Sequence, residues 1–524
     1  MGSRSEGGDR AVSAARGLGG WLASGLLALA AAAQAQSLPG DVDMALKRAK
    51  LPANALAAVV QEVGSGPPLL TWNEQAPVNP ASLFKLVTTF AALDQLGPAW
   101  TWTTPVYLTG PVRDGVLDGS VVIQGRGDPK LVVERVWLLL RRLQQQAGVR
   151  EIRGDIVLDH SAFAPPVRSP GDFDGEPHKP QNVQPDALLL NYKSVSYSFV
   201  PEPALGFARV AAEPMLAGVQ VDATVPLVNG PCDDWRATLK AQLADPLRVH
   251  FAGSYPLACG ERNWPLATAD PQAYGVRLVD TLWRGLGGRL GGSVRVGVLP
   301  EGARLAFDQA SPPLAEVIRD INKFSNNVMA EQLFLSLPAA QTPAASAVPP
   351  APASAASGAV VPAPVSPAVR LEDARDNLRR WLAGRFGDTA AQQTVIDNGS
   401  GLSREVRISP LLLARLLQAA WASSVMPELM SSLPISGTDG TLKRSTATAG
   451  RAHLKTGSLR DVAAVAGYVL SNNGRRYVLV AIVNHPNAAT ARPALDALVQ
   501  WTIRDGGPDA STTLPPPPGA CCMR

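Results

Sequence analysis

The stretch Ser82-Leu-Phe-Lys85 lies at the start of a predicted helix, and it constrains the fold of this chain more than any other feature. Asn79 suits the N-cap position of that helix and Pro80 suits its first turn. Apolar residues then recur every three or four positions until Gly97, where the pattern stops. The spacing predicts a helix from about Pro80 to Leu96.

The chemistry of this stretch is that of a nucleophile beside a base. Ser82 lies in the first turn, where the helix dipole favours developing negative charge. Lys85 follows three residues later, so its amine shares a face with the Ser82 hydroxyl. A Ser-x-x-Lys motif alone more often marks an exposed helix face, so the interpretation depends on two later stretches.

The second stretch, Ser325-Asn-Asn327, interrupts two predicted helices. Residues two apart do not share a helix face, so Ser325 and Asn327 converge only in a turn. There Ser325 would relay a proton and Asn327 would hold a substrate amide. A simple turn between two helices is the alternative interpretation.

The third stretch, Lys455-Thr-Gly-Ser458, opens the first strand of a predicted hairpin, Ala452 to Ser471 and Arg475 to Val483. Lys455 would supply positive charge, and the hydroxyls of Thr456 and Ser458 would bind a carboxylate. Gly457 has no side chain, so an extended peptide can lie against the strand and add to the sheet. An exposed strand start is the alternative.

Ser-x-x-Lys, Ser-x-Asn and Lys-Thr-Gly in this order are typical of penicillin-binding proteins and serine β-lactamases. Three further features narrow the choice of family within this group. They are the long segment between the first two motifs, the stretch Asp397–Arg404 and the context His453–Arg460. The chain resembles the D-alanyl-D-alanine carboxypeptidase/endopeptidase family, the class C low-molecular-mass penicillin-binding proteins. The resemblance covers about Val42 to Ile503. It departs from the family at Asn326, where Asp is frequent, and in an Ala/Pro-rich insertion after residue 337.

The resemblance implies an α/β (α+β) fold: a transpeptidase/β-lactamase-like domain with a five-stranded antiparallel sheet and helices on both faces, plus a large β-rich insertion. The expected catalytic domain comprises residues 36–105, 305–337 and 370–505. The expected β-rich insertion is 106–304. Residues 338–369, which contain mostly Ala, Pro, Ser and Val, are predicted to form a linker or loop.

The resemblance also implies acyl-enzyme chemistry on peptidoglycan. Ser82 would attack the carbonyl of the penultimate D-alanine or of a D-Ala–diaminopimelate cross-link, and Lys85 as free amine would take the proton. Ser325 and Lys455 would return a proton to the leaving amine. The backbone N–H groups of Ser82 and Ser458 would form the oxyanion hole.

Further residues are assigned to substrate binding by the same resemblance. Thr456 and Ser458 would hold the terminal carboxylate, against the strand at Gly457. Arg404, and Asp159 on the insertion, would face the stem peptide, although surface ion pairs explain these two residues equally well.

No cofactor is predicted, because the five histidines lack metal-ligand spacing and no Cys/His cluster exists. Nucleic acid is not expected as a partner, since the net charge is only +4 and no basic cluster alternates with aromatic residues. The expected partners are peptidoglycan peptides, with β-lactam antibiotics as inhibitors. The sequence leaves the oligomeric state open.

Residues 1–35 have the pattern of a signal peptide: three arginines, an apolar run, and Ala33-Gln-Ala35 as a cleavage site. Cleavage near Ala35 would place the protein in the periplasm, with no later membrane span. An uncleaved anchor is the alternative, but the apolar run is short for one. Export permits a disulfide, for which Cys232 and Cys259 are the expected pair. Cys521 and Cys522, in a Pro-rich tail over 506–524 that we expect to be disordered, are read as incidental.

Two rival functions remain: a serine β-lactamase, and a non-catalytic cell-wall binding protein. Class A β-lactamases use a glutamate between the second and third motifs to position the deacylating water. That interval here contains Glu331, Glu372, Glu405 and Glu428, and none has the expected context. Glu331 follows Asn327 by four residues, and its side chain is expected to be committed to its helix. Penicillin is therefore predicted to inhibit rather than to turn over.

Overall fold

Five antiparallel strands form the central sheet of the computed structural model, which describes residues 37–506 except 65, 167, 342–366, 446, 447 and 449. The strands pair in the order Pro68–Trp72, Leu56–Glu62, Arg476–Asn484, Val462–Leu470 and Ala452–Leu459. The predicted five-stranded antiparallel sheet is confirmed.

Both faces of this sheet are covered by helices, because successive side chains of its inner strands are apolar on both sides. Val60 and Leu479 pack in one core with the helices Gly40–Arg48 and Arg492–Ile503. Val59 and Val480 pack in the other core. The helices of that second core are Phe84–Leu96, Leu314–Lys323, Asn327–Ser336, Leu371–Phe386, Asp388–Gln392, Pro410–Trp421 and Met426–Ser432.

Two predicted elements differ from the structure. The Ser82 helix starts with a 3₁₀ turn, Ala81–Leu83, and becomes α-helical only at Phe84. The prediction of a single strand over 452–471 was wrong, because that segment folds into two strands joined at residues 460–461. The turn lacks the Asn-Gly signal that marks the next hairpin, where Gly474 has a φ of +80°.

The segment between the first two motifs leaves and re-enters through neighbouring strands. Thr103–Leu108 pairs antiparallel with Arg304–Ala310, and three more strands complete a mixed sheet: Val121–Gln124, Ile156–Asp159 and Val294–Val296. The helices Val133–Gln145 and Tyr274–Gly285 pack in a core made of residues from this segment alone. We call the part of the chain from Thr103 to Ala310 the inserted segment. The domain boundaries given for it above stay a prediction.

A second sheet of the inserted segment contains Ser194–Glu202, Phe207–Glu213, Thr224–Val228, Tyr255–Pro256 and Arg262–Ala267. The predicted disulfide between Cys232 and Cys259 is present beside it, near the short helix Trp235–Leu239. Three smaller sheets complete the strands. One has four short strands in the order Arg289–Leu290, Glu151–Ile152, Val116–Leu117 and Val112–Arg113. The second has three, in the order Gln220–Val221, Arg248–Phe251 and Ala241–Gln242, and the third pairs Phe163–Ala164 with Val369–Arg370.

Several predictions fall outside the described residues: the signal peptide over 1–35, residues 342–366 of the Ala/Pro-rich stretch, and the tail beyond 506 with Cys521 and Cys522. Within the described ranges, no helix is both long and apolar enough to cross a membrane.

Candidate active site

Asn79 fixes the turn that carries Ser82 through hydrogen bonds of both its backbone and its side chain. The Asn79 backbone N–H donates to Asn484 Oδ1 over 2.8 Å, and its side-chain amide donates to the Ser403 carbonyl over 2.9 Å. Asn79 Oδ1 accepts from the Ala81 N–H over 2.9 Å. Ala81 has a φ of +47°, which is unfavourable for a residue with a side chain. The fixed turn therefore holds the residue before Ser82 in a strained conformation.

Lys85 is fully buried beneath this turn. Its Nζ lies 3.0 Å from Ser82 Oγ, 2.6 Å from Asn327 Oδ1 and 2.6 Å from the Ser400 carbonyl oxygen. The last two oxygens only accept hydrogen bonds. A neutral amine therefore spends both N–H groups on them and turns its lone pair towards the Ser82 hydroxyl.

Burial also favours the neutral amine at Lys85. Desolvation lowers the pKa of Lys85 to about 7, and the charge of Glu331 opposes that shift. Burial, and then the charge of Lys85, lower the pKa of Lys455 as well. A free amine at Lys85 is thus accessible near neutral pH.

The second motif is both a turn and a helix cap. Ser325 has a φ of +55°, and the Asn326 side chain accepts from the Met329 N–H over 3.0 Å to cap the following helix. Asn327 is thereby directed at Lys85. Lys455 Nζ donates to Ser325 Oγ over 2.8 Å and to the Thr456 carbonyl over 2.7 Å. The structure thus brings the three motifs into two linked contacts, Ser82–Lys85–Asn327 and Ser325–Lys455.

The third motif lies on the edge strand Ala452–Leu459. Ser458 is exposed, and Thr456 Oγ1 lies 2.8 Å from Thr441 Oγ1. Gly457 has a second reason for being glycine, besides the expected room for an extended peptide. A Cβ there would meet the Pro80 carbonyl oxygen at 2.7 Å, so the missing side chain makes room for the Ser82 turn.

Sequence reasoning gave no role to Ser400, although its stretch was recognised. The carbonyl of Ser400 accepts from Lys85, and the turn around it is close against the Ser82 turn. Gly401 has a φ of +77°, and a Cβ there would lie 2.0 Å from the Ala81 carbonyl oxygen. The two glycines flanking Ser400 were the signal of this close approach.

The expectation that Glu331 is committed to its own helix was wrong. Its side chain is buried, and its Oε1 accepts from Ser400 Oγ over 3.0 Å. Burial raises the pKa of Glu331 to about 7, against the lowering effects of Arg168, the Ser400 hydrogen bond and Lys85. Helical spacing brings Glu331 next to Asn327 on the same face, one turn further along.

Asp159 lies in the inserted segment, and its assignment to substrate binding stays a prediction. The residue is buried in the inserted segment, where its carboxylate accepts from the N–H groups of Ser161 at 2.8 Å and Leu299 at 2.9 Å. The alternative, a surface ion pair, is not formed among the described residues, because the two carboxylate oxygens accept from backbone loops instead.

Arg404 is exposed, and its guanidinium lies over the Phe173 ring at 5.0 Å from the centroid. It lines a cavity between the 168–184 loop of the inserted segment and the 397–405 turn. Among the described residues no three His, Cys, Asp or Glu side chains are grouped as a metal site requires.

Comparison with known proteins decides the family. The profile of the D-Ala-D-Ala carboxypeptidase 3 (S13) family matches residues 38–351 and 369–504, which is most of the chain. The chain belongs to the D-Ala-D-Ala carboxypeptidase 3 (S13) family. The resemblance read from the three motifs is therefore confirmed, and so is the function it implied: this S13 protein is a serine-type D-Ala-D-Ala carboxypeptidase.

Two curated relatives have the same activity in their names. The D-alanyl-D-alanine carboxypeptidase DacB of Haemophilus influenzae is 25% identical over 415 residues, covering 77% of this chain and 80% of the relative. A D-alanyl-D-alanine carboxypeptidase of an Actinomadura species is 27% identical, covering 96% of this chain and 90% of the relative.

A solved structure shares the fold. The crystal structure of penicillin binding protein 4 from Haemophilus influenzae has a TM-score of 0.67 at 21% identity, covering 88% of this chain and 99% of that protein. The predicted fold class is thereby confirmed for this member of the S13 family.

Proposed function

We propose that this S13 carboxypeptidase forms an acyl-enzyme on Ser82, with Lys85 as the base. The observation that carries the proposal is the hydrogen-bond count at Lys85 Nζ. Asn327 Oδ1 and the Ser400 carbonyl take both N–H groups of the neutral amine, and the lone pair is left for the Ser82 proton. The Ser82 oxygen then bonds to the carbonyl carbon of the penultimate D-alanine.

The leaving D-alanine amine needs a proton, which Ser325 and Lys455 would supply. Lys455 Nζ bonds to Ser325 Oγ at 2.8 Å, so a proton given up by the serine is replaced from the lysine. Thr456 and Ser458, on the edge strand, would hold the terminal carboxylate of the substrate. The N–H groups of Ser82 and Ser458 would stabilise the tetrahedral oxyanion.

The substrates we propose are peptidoglycan stem peptides and D-Ala–diaminopimelate cross-links, with β-lactams as inhibitors. The Haemophilus influenzae penicillin binding protein 4 has also been solved in complex with a β-lactam, which supports the inhibitor assignment. Arg404 borders the cavity beside the Ser400 turn, and we assign it to the stem peptide. These substrates lie outside the cytoplasm. The Cys232–Cys259 disulfide supports the same location, the periplasm, after cleavage near Ala35.

Labelling with fluorescent penicillin, followed by digestion of purified muropeptides, tests the proposal. Label should attach to the peptide that contains Ser82, and Ser82→Ala should abolish both labelling and D-alanine release while the protein stays folded. Ser431→Ala, an exposed serine at a helix end, serves as the matched control and should label normally. Attachment of the label to any other serine would disprove the assignment.

A further inference from the structure

We propose that Glu331 is a positioning residue that supplies the counter-charge for Lys85 during acylation, and that Arg168 of the inserted segment sets its charge. This inference rests on the proposed role of Lys85 as the base. It gives the inserted segment a part in the chemistry of the catalytic domain.

The geometry joins Glu331 to Lys85 through a single residue. Glu331 Oε1 accepts from Ser400 Oγ over 3.0 Å, and the carbonyl of the same Ser400 accepts from Lys85 Nζ over 2.6 Å. Both ends of this link are buried. A carboxylate and an amine so close in a water-poor interior interact more strongly than they would at the surface.

The Ser400 hydroxyl can adapt to either charge state of Glu331. It has one proton and two acceptors at 3.0 Å, Glu331 Oε1 and Asn398 Oδ1, while its oxygen accepts from the Leu402 N–H over 3.1 Å. With Glu331 ionised, the hydroxyl donates to Glu331. With Glu331 protonated, the carboxyl can donate to Ser400 Oγ and the hydroxyl turns to Asn398. Neither state leaves the bonded carboxyl oxygen unpaired.

The charged groups around Glu331 come from three directions. Arg168, on the inserted segment, stabilises the carboxylate and lines a small cavity with Glu331 and Asn398. Lys85 also stabilises the carboxylate, whereas Asp397 destabilises it. Asp397 itself is paired with Arg375 at 2.5 Å. Arg168 is thus the cation from outside the catalytic domain that favours ionised Glu331.

Acylation creates a charge that needs this partner. As Ser82 Oγ bonds to the carbonyl carbon, its proton moves to Lys85 Nζ and forms a buried ammonium. The charge of Lys85 lowers the pKa of Lys455, so positive charge on one lysine disfavours positive charge on the other. Glu331 is the acid whose charge stabilises protonated Lys85. An ionised Glu331 therefore makes Lys85 a stronger base and lowers the free energy of the state in which Lys85 holds the proton.

The test measures the second-order rate of Ser82 acylation by nitrocefin against pH. In the wild type the acidic limb should have a midpoint near pH 7. In Glu331→Gln, which keeps the size but removes the charge, the midpoint should move down by about 1 pH unit and the plateau should fall about tenfold, because the base is weaker. Glu331→Asp keeps the charge, so its midpoint should stay at the wild-type value.

The control is Glu372→Gln, the same chemical change at an exposed glutamate on the helix Leu371–Phe386, and it should leave the profile unchanged. A wild-type midpoint in Glu331→Gln, or an equal shift in the Asp variant, overturns the proposal. If Glu331→Gln does not fold, Arg168→Gln tests it instead. That variant should lower the acylation rate near pH 7, because less Glu331 is ionised there, and an unchanged profile overturns the proposal. A wild type that is not acylated at Ser82 at any pH refutes the proposed function itself, which is a distinguishable outcome.

Discussion

A Cβ atom at Gly457 would lie 2.7 Å from the backbone oxygen of Pro80 and 3.3 Å from the Cβ of Ala81. The third motif therefore packs its strand directly on the turn that presents Ser82. Its glycine is needed for contact between two parts of the protein, because side-chain atoms do not come this close to a carbonyl without displacing it. The distance between Ser82 and the edge strand is set by this contact.

Gly457→Ala should therefore separate the edge strand from the Ser82 turn. We expect acylation by fluorescent penicillin to slow about 100-fold, since catalysis depends on positioning within fractions of an ångström. Stability should fall by about 1–3 kcal/mol, the usual cost of an extra methyl group in a packed site. Gly384→Ala is the control: it lies in a helix with open space around the added Cβ, and it should keep full activity. Equal acylation rates in the two variants would contradict the prediction.

Asp128 should give the protein a measurable pH dependence of stability. Its side chain is fully buried, one oxygen has no hydrogen-bond partner, and burial raises its pKa to about 6. Because the folded-state pKa lies above the unfolded value, the stabilisation is complete below about pH 4 and is lost as the pH rises through 6. The shift corresponds to about 2–3 kcal/mol.

Asp128→Asn removes that ionisation while keeping the shape of the side chain. The variant should gain about 2 kcal/mol relative to the wild type between pH 4 and pH 8, as the buried charge of the wild type develops. Urea unfolding at the two pH values measures the difference. A stability change that is the same at pH 4 and pH 8 would show that ionisation of Asp128 is not its source.

The sequence predicted those parts of the site that depend on local spacing. Ser82 and Lys85 are three residues apart at a helix start, and the hydrogen bond between them follows from helical geometry. The Asn-Gly turn at 473–474 was an equally local signal, whereas the cap at Asn326 was not predicted. The antiparallel sheet followed from the family resemblance, and the alternation of its strands fits that arrangement.

Residues that depend on packing between distant segments were not predictable in this way. Ser400 reaches Lys85 across 315 positions of sequence, and Glu331 reaches Ser400 across 69. The buried setting of Asp159 was not predicted either, because its carboxylate accepts from the backbone N–H groups of two loops. A single sequence reports the type of a charged residue but not the direction in which tertiary packing turns its side chain.

The Cys232–Cys259 disulfide should stabilise the inserted segment without affecting acylation. It closes a loop with a sequence separation of 27, for which the chain-entropy model gives about 3.5 kcal/mol. Cys259 lies in the core of the inserted segment, which is separate from the core under Ser82. The double variant Cys232→Ser/Cys259→Ser should unfold at lower denaturant and still label with penicillin under mild conditions. Loss of labelling in a double variant that is still folded would mean that the core under Ser82 depends on the core of the inserted segment.

The last prediction separates a peptidase from a β-lactamase, because both acylate a serine next to a lysine. A β-lactamase of class A places a glutamate to activate the deacylating water. Here Glu331 is the glutamate nearest to the motifs in sequence, and its Oε1 is bonded to Ser400 Oγ. That bond commits the side chain to the Ser400 turn, on the Asn327 side of Lys85. A penicilloyl group on Ser82 would also block the approach of water that a departing D-alanine leaves open.

The acyl-enzyme should therefore be long-lived with penicillin and short-lived with peptide. We expect fewer than about one penicillin turnover per minute, whereas enzymes on their proper substrates typically reach ~1–1000 turnovers per second. Stopped-flow acylation and steady-state nitrocefin hydrolysis measure the turnover of the β-lactam acyl-enzyme. Release of D-alanine from stem pentapeptide measures turnover of the peptide acyl-enzyme. Sustained nitrocefin hydrolysis at many turnovers per second, without D-alanine release, would favour the β-lactamase. In that outcome Glu331→Gln should stop deacylation and trap the acyl-enzyme, whereas in a peptidase it only slows the formation of that intermediate.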